Sequence, residues 1–285
     1  MNIAFIGIGV MGKSMAKNLL NGKNNLAIYT RTKEKALELI ESGAVWHDTV
    51  RDAVKNADAV ISMVGYPKDV EDIYLGRDGI IASAKPNALL IDMTTSSPSL
   101  AKKIYNEAGK KNLRALDAPV SGGDIGAQNA TLSIMAGGDK KDFAAAQPIF
   151  SLMGKNIRHM GSAGAGQYTK MANQIAIASN MMGVCEAIFY AEKMGLDAHE
   201  VLAAISSGAA GSWSLSNLAP RILKDDFSPG FFVKHFIKDM KIAVESAREM
   251  NLTLPGLELA LSLYEKLAAN GGENYGTQAL IKVLK

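Results

Sequence analysis

The 285-residue sequence predicts an α/β chain: a doubly wound, mainly parallel sheet, then an all-helical half, the two joined by one long helix. Three observations carry that expectation. The chain starts with a short apolar run, a glycine-rich turn and a helical pattern; short apolar runs then alternate with amphipathic stretches; beyond Gly161 only helical periodicity remains.

The first element is the apolar run 2–6, which ends at Gly7-Ile8-Gly9-Val10-Met11-Gly12 and is followed by a helical pattern over 14–20. Strand, glycine turn and helix in that order suit a dinucleotide. The first glycine permits the tight turn, the second lets backbone N–H groups approach a pyrophosphate, and the third lets the helix pack close to the strand. Residues 1–161 are therefore expected to form a Rossmann-type NAD(P)-binding domain. The start of the chain has no basic leading segment and no small-residue cleavage site, so a strand and a helix are expected there rather than a signal peptide.

The second strand, 26–30, ends at Arg31-Thr32-Lys33. A site preferring NAD places an acid at this strand end to hold the ribose hydroxyls. None is present. Arg31 and Thr32 instead offer a cation and a hydroxyl to a 2′-phosphate, so NADP (as NADPH) is favoured. NAD stays open, because Arg31 stacked on the adenine would serve either cofactor.

The alternation continues through helix 33–41, strand 44–46, helix 49–56, strand 59–64, helix 67–74 and strand 88–92. Strands so spaced imply right-handed crossovers and a parallel sheet, with ligands beyond the strand C-termini. Met63, Val64 and Thr95 are thereby brought to the crevice of the glycine turn. Ser97-Pro98 reads as the N-cap and first-turn proline of a helix reaching residue 109. Strand 113–117 leads to Ser121-Gly122-Gly123, where a hydroxyl and accessible backbone N–H groups offer donors to a carboxylate. The same residues also read as an ordinary glycine turn entering strand 131–136. Helix 141–153 and strand 156–159 complete this half.

Residues 161–194 read as one helix about 45 to 50 Å long. Along it Lys170, Asn173, Gln174 and Ile177 fall at i, i+3, i+4 and i+7, so a charge and two amides share a stripe on an apolar rod. Desolvation would pull the lysine pKa towards neutrality, as a proton donor or acceptor needs; the alternative is a solvated lysine near a helix start. Helices 198–207, 213–223, 234–250, 255–269 and 277–284 follow. Residues 162–285 are thus expected to form an all-helical substrate and dimerisation domain, with Trp213 as a lid over the substrate or as plain core packing. A rod longer and more apolar than one domain needs predicts a second copy upon it, in a homodimer or homotetramer.

Composition narrows the function. The chain is 48% hydrophobic and 21% charged, enough to bury a large core. A net charge of +3 without a run of five basic residues argues against nucleic acid, and suits an anionic substrate. The longest apolar run, 175–190, is interrupted by Asn180 and Glu186, so no membrane span is expected. The single Cys185 permits no intramolecular disulfide and points to a cytoplasmic, reducing compartment. Four scattered histidines show no ligand spacing, and no metal site is expected.

Several separated blocks agree, and from end to end the chain resembles the β-hydroxyacid dehydrogenase superfamily. That superfamily includes 3-hydroxyisobutyrate dehydrogenases, tartronate semialdehyde reductases and glyoxylate/succinic semialdehyde reductases. The blocks are Gly7 to Gly12, Asp117-Ala118-Pro119-Val120-Ser121-Gly122-Gly123, Gly164-Ala165-Gly166 with Lys170, and Phe236-Ile237-Lys238-Asp239-Met240. The resemblance implies a hydride transfer between NAD(P) and a small β-hydroxy acid or its semialdehyde. It assigns the substrate carboxylate to Ser121, Gly122 and Gly123, the acid/base role to Lys170, and the cofactor's neighbourhood to Thr95 and Lys238. Asp239 would orient its surroundings. One departure is visible: many relatives carry asparagine four positions after the lysine, where this chain has Gln174, with Asn173 one place earlier. Either amide is left to reach the substrate. Among alternatives, imine reductases generally lack the lysine, and a 6-phosphogluconate dehydrogenase needs a larger helical half and a phosphate clamp. A non-catalytic cofactor-binding module has no use for Ser121, Lys170 and Lys238 together.

Overall fold

In β1 (Asn2–Ile6), Ile3 and Phe5 join the apolar cluster on one side of the sheet while Ala4 and Ile6 join the cluster on the other. A strand buried on both faces needs helices above and below it. The computed structural model describes all 285 residues and shows that arrangement; the chain divides into two units, Met1–Lys170 and Met171–Lys285.

In the first unit β1 is followed by α1 (Val10–Asn21), β2 (Asn25–Tyr29), α2 (Leu37–Glu41), β3 (Val45–Trp46), α3 (Val50–Val54), β4 (Ala59–Ser62), α4 (Pro67–Leu75) and α5 (Ile80–Ser83). Then come β5 (Leu89–Asp92), α6 (Pro98–Gly109), β6 (Arg114–Asp117), β7 (Val120–Ser121), α7 (Gly123–Gln128), β8 (Leu132–Gly138), α8 (Lys140–Phe150) and β9 (Gly154–Gly161). The strands lie in the order β3-β2-β1-β4-β5-β6-β8-β7, with β9 on β8. From β3 to β6 every pairing is parallel, whereas β8 runs antiparallel to β6 and β7. Strand order reverses between β1 and β4, and a crevice at such a switch point is where an open α/β sheet binds its ligand.

The doubly wound, mainly parallel sheet expected from the sequence is present, with local differences. The strand read as 59–64 ends at Ser62, so Met63 and Val64 lie past its tip. Two short helices, α5 and α7, were not anticipated, and α7 stands where an ordinary glycine turn was one of the readings. Helices of 4 and 6 residues are too short to show a period.

The long helix is α9 (Ala165–Lys193), 29 residues or about 44 Å. It starts at Ala165 rather than Gly161, because Gly161 and Gly164 take left-handed backbone angles, φ +133° and +89°, that no right-handed helix contains. α9 ends the first unit and begins the second. The second unit adds α10 (Ala198–Ile205), α11 (Trp213–Asn217), α12 (Ala219–Ile222), α13 (Val233–Glu249), α14 (Pro255–Leu267) and a closing 3-10 segment, Thr277–Val283. The single helix read over 213–223 is two, since Pro220 has no N–H to continue the ladder. Met171, Ala178, Met181, Cys185 and Ile188 form the buried stripe of α9 and share a core with Phe236 and Met240 of α13 and Leu257, Ala260 and Tyr264 of α14. Burial pushes the Cys185 thiol up to about 12, which makes it an inert core residue. No helix is long and apolar enough to cross a membrane.

Candidate functional site

The glycine turn behaves as its spacing predicts. Gly7 has φ +102°, and a Cβ there would strike the carbonyl of Met63; a Cβ on Gly12 would strike the carbonyl of Gly7. Gly9 differs, because a Cβ built on it meets nothing within 4 Å. Two glycines are thus required by the protein itself, and the third faces open space. Gly9 is also the N-cap of α1, and no side chain caps that helix, so its first-turn N–H groups suit an anion. Ile8 is buried, Val10 is exposed and Met11 packs on the core below. The cradle fits a pyrophosphate. Gly9→Ala is expected to leave the melting temperature nearly unchanged while weakening dinucleotide binding about tenfold or more, since each 1.4 kcal/mol lost is a factor of ten. Gly12→Ala should instead destabilise the fold by about 1–3 kcal/mol through overpacking. Calorimetry and a dinucleotide titration on both variants separate the two effects.

At the tip of β2, Arg31 is 79% exposed in its side chain and ion-paired with Asp69 at 3.2 Å; Thr32 beside it is exposed too. Asp69 also accepts the Tyr66 N–H, which fixes it at the start of α4. An exposed ion pair contributes at most about 1 kcal/mol, so the guanidinium exchanges this partner easily.

The tips of β4 and β5 are tied together. The Val64 N–H donates to Thr94 Oγ1 at 3.0 Å, and the Thr94 N–H donates to Asp92 Oδ1 at 3.1 Å. The same carboxylate oxygen accepts the Ser62 hydroxyl at 2.8 Å, and Ser62 in turn meets the Tyr74 hydroxyl at 2.9 Å. Burial pushes the Asp92 carboxyl up to about 6, against the opposing pull of the Ser62 and Thr94 donors. Met63 and Thr95 flank this knot and are half-buried.

Asp117, the last residue of β6, reaches the start of α9. Its Oδ1 accepts the Gly164 N–H at 2.7 Å and its Oδ2 the Gln167 N–H at 2.8 Å, so a carboxylate 47 residues upstream caps the helix. Desolvation still dominates and pushes its carboxyl up to about 6. Gly166 has no room for a side chain beside the carbonyls of Met135 and Asp117, and this explains the Gly-Ala-Gly entry to α9. From this capped start, Lys170 follows within two turns and is only 6% exposed, so it is not a solvated surface lysine. Ser121 ends β7, half-buried, opposite Ser133 of β8. Gly122 and Gly123 follow with φ +133° and +63°, two successive positive angles that turn the backbone sharply after the serine.

In the second unit a polar chain runs through the start of α9 and α13. Asn173 Nδ2 donates to Gln174 Oε1 at 2.7 Å, and Gln174 Nε2 donates to Asp239 Oδ2 at 2.6 Å. Lys238 Nζ lies 2.9 Å from Asp239 Oδ1, an ion pair rather than an aligned hydrogen bond. Gln174 is 1% exposed and committed at both ends of its amide, whereas Asn173 is half-buried and keeps its carbonyl oxygen. Trp213 is 67% exposed, which removes its core-packing reading. Sequence reasoning passed over Asp92, Asp117 as a helix cap, and Gln167. Aspartates ending two adjacent strands were the available signal for the first two; nothing in the sequence marked the third.

The chain is similar to known proteins along nearly its whole length. Residues 2–161 match the family described as the NAD binding domain of 6-phosphogluconate dehydrogenase. Residues 164–284 match that described as NAD-binding of NADP-dependent 3-hydroxyisobutyrate dehydrogenase. The uncharacterized oxidoreductase YkwC of Bacillus subtilis is 63% identical over 281 residues, covering 99% of this chain and 98% of that protein. The 2-hydroxy-3-oxopropionate reductase of Escherichia coli is 38% identical over 285 residues, covering 100% and 97%. Among solved structures, the 3-hydroxyisobutyrate dehydrogenase of Mycobacterium tuberculosis with L-serine superposes with a TM-score of 0.92 at 31% identity, covering 100% of this chain and 99% of that one.

Proposed function

Because this chain belongs to the β-hydroxyacid dehydrogenase superfamily, we propose that it interconverts a small β-hydroxy acid and its semialdehyde or keto acid, with Lys170 as the general acid/base. The observation that carries this reading is the burial of Lys170, 6% exposed on a capped helix start, in the unit that also holds the glycine cradle. Lysines are seldom buried to this degree.

The cofactor, when bound, supplies or accepts the hydride. The remaining work falls to the chain's own residues. Gly7 to Gly12 hold the pyrophosphate; Arg31 and Thr32 hold the 2′-phosphate of NADP; Met63, Val64, Thr95 and Lys238 are assigned to the same ligand. The Ser121 hydroxyl and the N–H groups of Gly122 and Gly123 bind the substrate carboxylate and fix its orientation. In reduction, Lys170 Nζ gives a proton to the oxygen that becomes the hydroxyl; in oxidation the neutral amine takes it back. Asn173 is assigned as the substrate amide, because Gln174 is already committed to Asp239. Trp213 is assigned to the substrate side, and the active form to a homodimer or homotetramer. A helical half matching the 3-hydroxyisobutyrate dehydrogenase description favours a hydroxy acid over the oxidative decarboxylation of a sugar phosphate.

Two experiments test this. Protein is mixed with NADPH or NADH and succinic semialdehyde, tartronate semialdehyde or glyoxylate, or with NADP or NAD and 3-hydroxyisobutyrate or L-serine, while the reduced nicotinamide absorbance is followed. Turnover with at least one short carboxylate is expected; none with any of them contradicts the reading. Arg31→Ala is expected to raise KM for NADPH by about tenfold or more, from the loss of one charge-assisted hydrogen bond, with little effect on NADH. Equal losses with both cofactors would rule out the 2′-phosphate role.

A further inference from the structure

One buried side chain joins the two stretches of backbone that carry Thr95 and Lys170. Gln167 lies in the first turn of α9 and is fully buried. Its Oε1 accepts the Ser96 N–H at 2.9 Å and its Nε2 donates to the Thr94 carbonyl at 2.7 Å, while its own N–H is held by Asp117 at 2.8 Å. The Thr94 carbonyl belongs to the peptide unit before Thr95, and the Ser96 N–H to the unit after it. A single primary amide therefore grips both peptide units of Thr95 from a helix more than seventy residues further along the chain, at separations of 73 and 71.

Only glutamine meets this demand. It presents an acceptor and a donor in one plane, at the reach of two methylenes. Glutamate lacks the donor and asparagine is one carbon short. The two backbone partners settle which end of the amide is which, since an N–H needs the oxygen and a carbonyl needs the nitrogen. The segment's own side chains offer no substitute: the Ser96 hydroxyl is buried without a hydrogen-bond partner, and the Thr94 hydroxyl is taken by Val64. Lys170 follows Gln167 by three residues, less than one helical turn, so a rotation of the helix start that moved the lysine would break both amide bonds.

We propose that Gln167 is a positioning residue that locks the tip of β5 to the first turn of α9 and so fixes the spacing between Thr95 and Lys170. The proposal rests on the oxidoreductase reading above. Gln167 is too deeply buried to touch the substrate; it acts through the two residues it aligns. Small misplacements of a proton donor slow chemistry far more than they weaken binding.

The test uses the full chain with two variants. Gln167→Met keeps the volume and removes both bonds; Gln167→Glu keeps the acceptor for Ser96 and loses the donor to Thr94, and it carries the test alone if the methionine variant does not fold. Activity is measured with NADPH and the best substrate of the panel, below the melting transition, and is expressed per NADPH-binding site. The expected result is a fall in kcat of about tenfold or more for methionine and a smaller fall for glutamate, with NADPH affinity within about threefold of wild type. A kcat per binding site equal to wild type, or a loss of NADPH affinity matching the loss of kcat, overturns the positioning role. A wild-type protein that turns over nothing defeats the oxidoreductase reading and the proposal with it. Turnover by wild type and by both variants alike defeats the proposal only.

Discussion

Lys170→Ala is expected to lower kcat by about 10²- to 10⁴-fold, equivalent to roughly 3 to 5 kcal/mol of transition-state stabilisation, while NADPH affinity changes little. The size follows from the role. Without a proton donor the developing alkoxide must wait for water, in a place where the lysine is 6% exposed and solvent has little access. The dinucleotide is assigned to the glycine cradle and Arg31, which the substitution leaves alone, so kcat and cofactor binding should part company. Lys170→Met controls for the lost volume, and stopped-flow single turnovers separate the chemical step from product release. A kcat near wild type in both variants would remove Lys170 from the mechanism.

The second large effect concerns stability and pH. Asp92 and Asp117 are buried carboxyls pushed up to about 6, by desolvation above all, from an ordinary value of 3.8. Between those two values the native chain holds protons that the unfolded chain has released, so stability falls as pH rises through the window and levels off above it. Each carboxyl then costs the native state roughly 2–3 kcal/mol at neutral pH relative to about pH 4. Carboxylates with strong partners act in the opposite sense; Glu38, lowered to about 2 by Lys13 and Lys17, is one. Comparison with a variant isolates the buried group. Asp92→Asn still accepts the Ser62 and Thr94 donors but cannot ionise. Its stability relative to wild type, from urea unfolding, should improve by about 2–3 kcal/mol between about pH 4 and pH 7.5. An unchanged difference at the two pH values would show that Asp92 ionises as freely in the native state as in the unfolded one.

The fold retains this cost because both carboxylates hold the places where chemistry is assigned: Asp92 ties the tips of β4 and β5, and Asp117 caps α9. Sites that run against local stability are where function tends to lie.

The same contrast explains how much was legible in the sequence. Gly7 and Gly12 were readable because their constraint is local, a positive φ or a contact within a few residues, and the apolar runs of β1, β4 and β5 were readable because both faces are buried. Lys170 was readable as a charge on an apolar rod. The reversed direction of β8 was not, because β7 has only 2 residues and α7 only 6, too few to declare a type. Three glycines between residues 161 and 166 looked like a helix entrance, whereas the left-handed angles at Gly161 and Gly164 make those two its boundary. Gln167 and Asp117 escaped for a different reason: their partners lie 47 to 73 residues away, and only the folded sheet brings them together. The bond from the Gln174 amide to Asp239 was likewise out of reach, because α13 lies 65 residues further along.

In the proposed function a short acid is anchored by its carboxylate while a buried lysine serves the adjacent carbonyl. Turnover of one semialdehyde as the free acid and as its methyl ester tests it most directly, at saturating NADPH. Esterification is expected to lower kcat/KM by about a hundredfold or more, the loss expected when a charge-assisted anchor of about 3 kcal/mol is removed. Equal kcat/KM for acid and ester would contradict it.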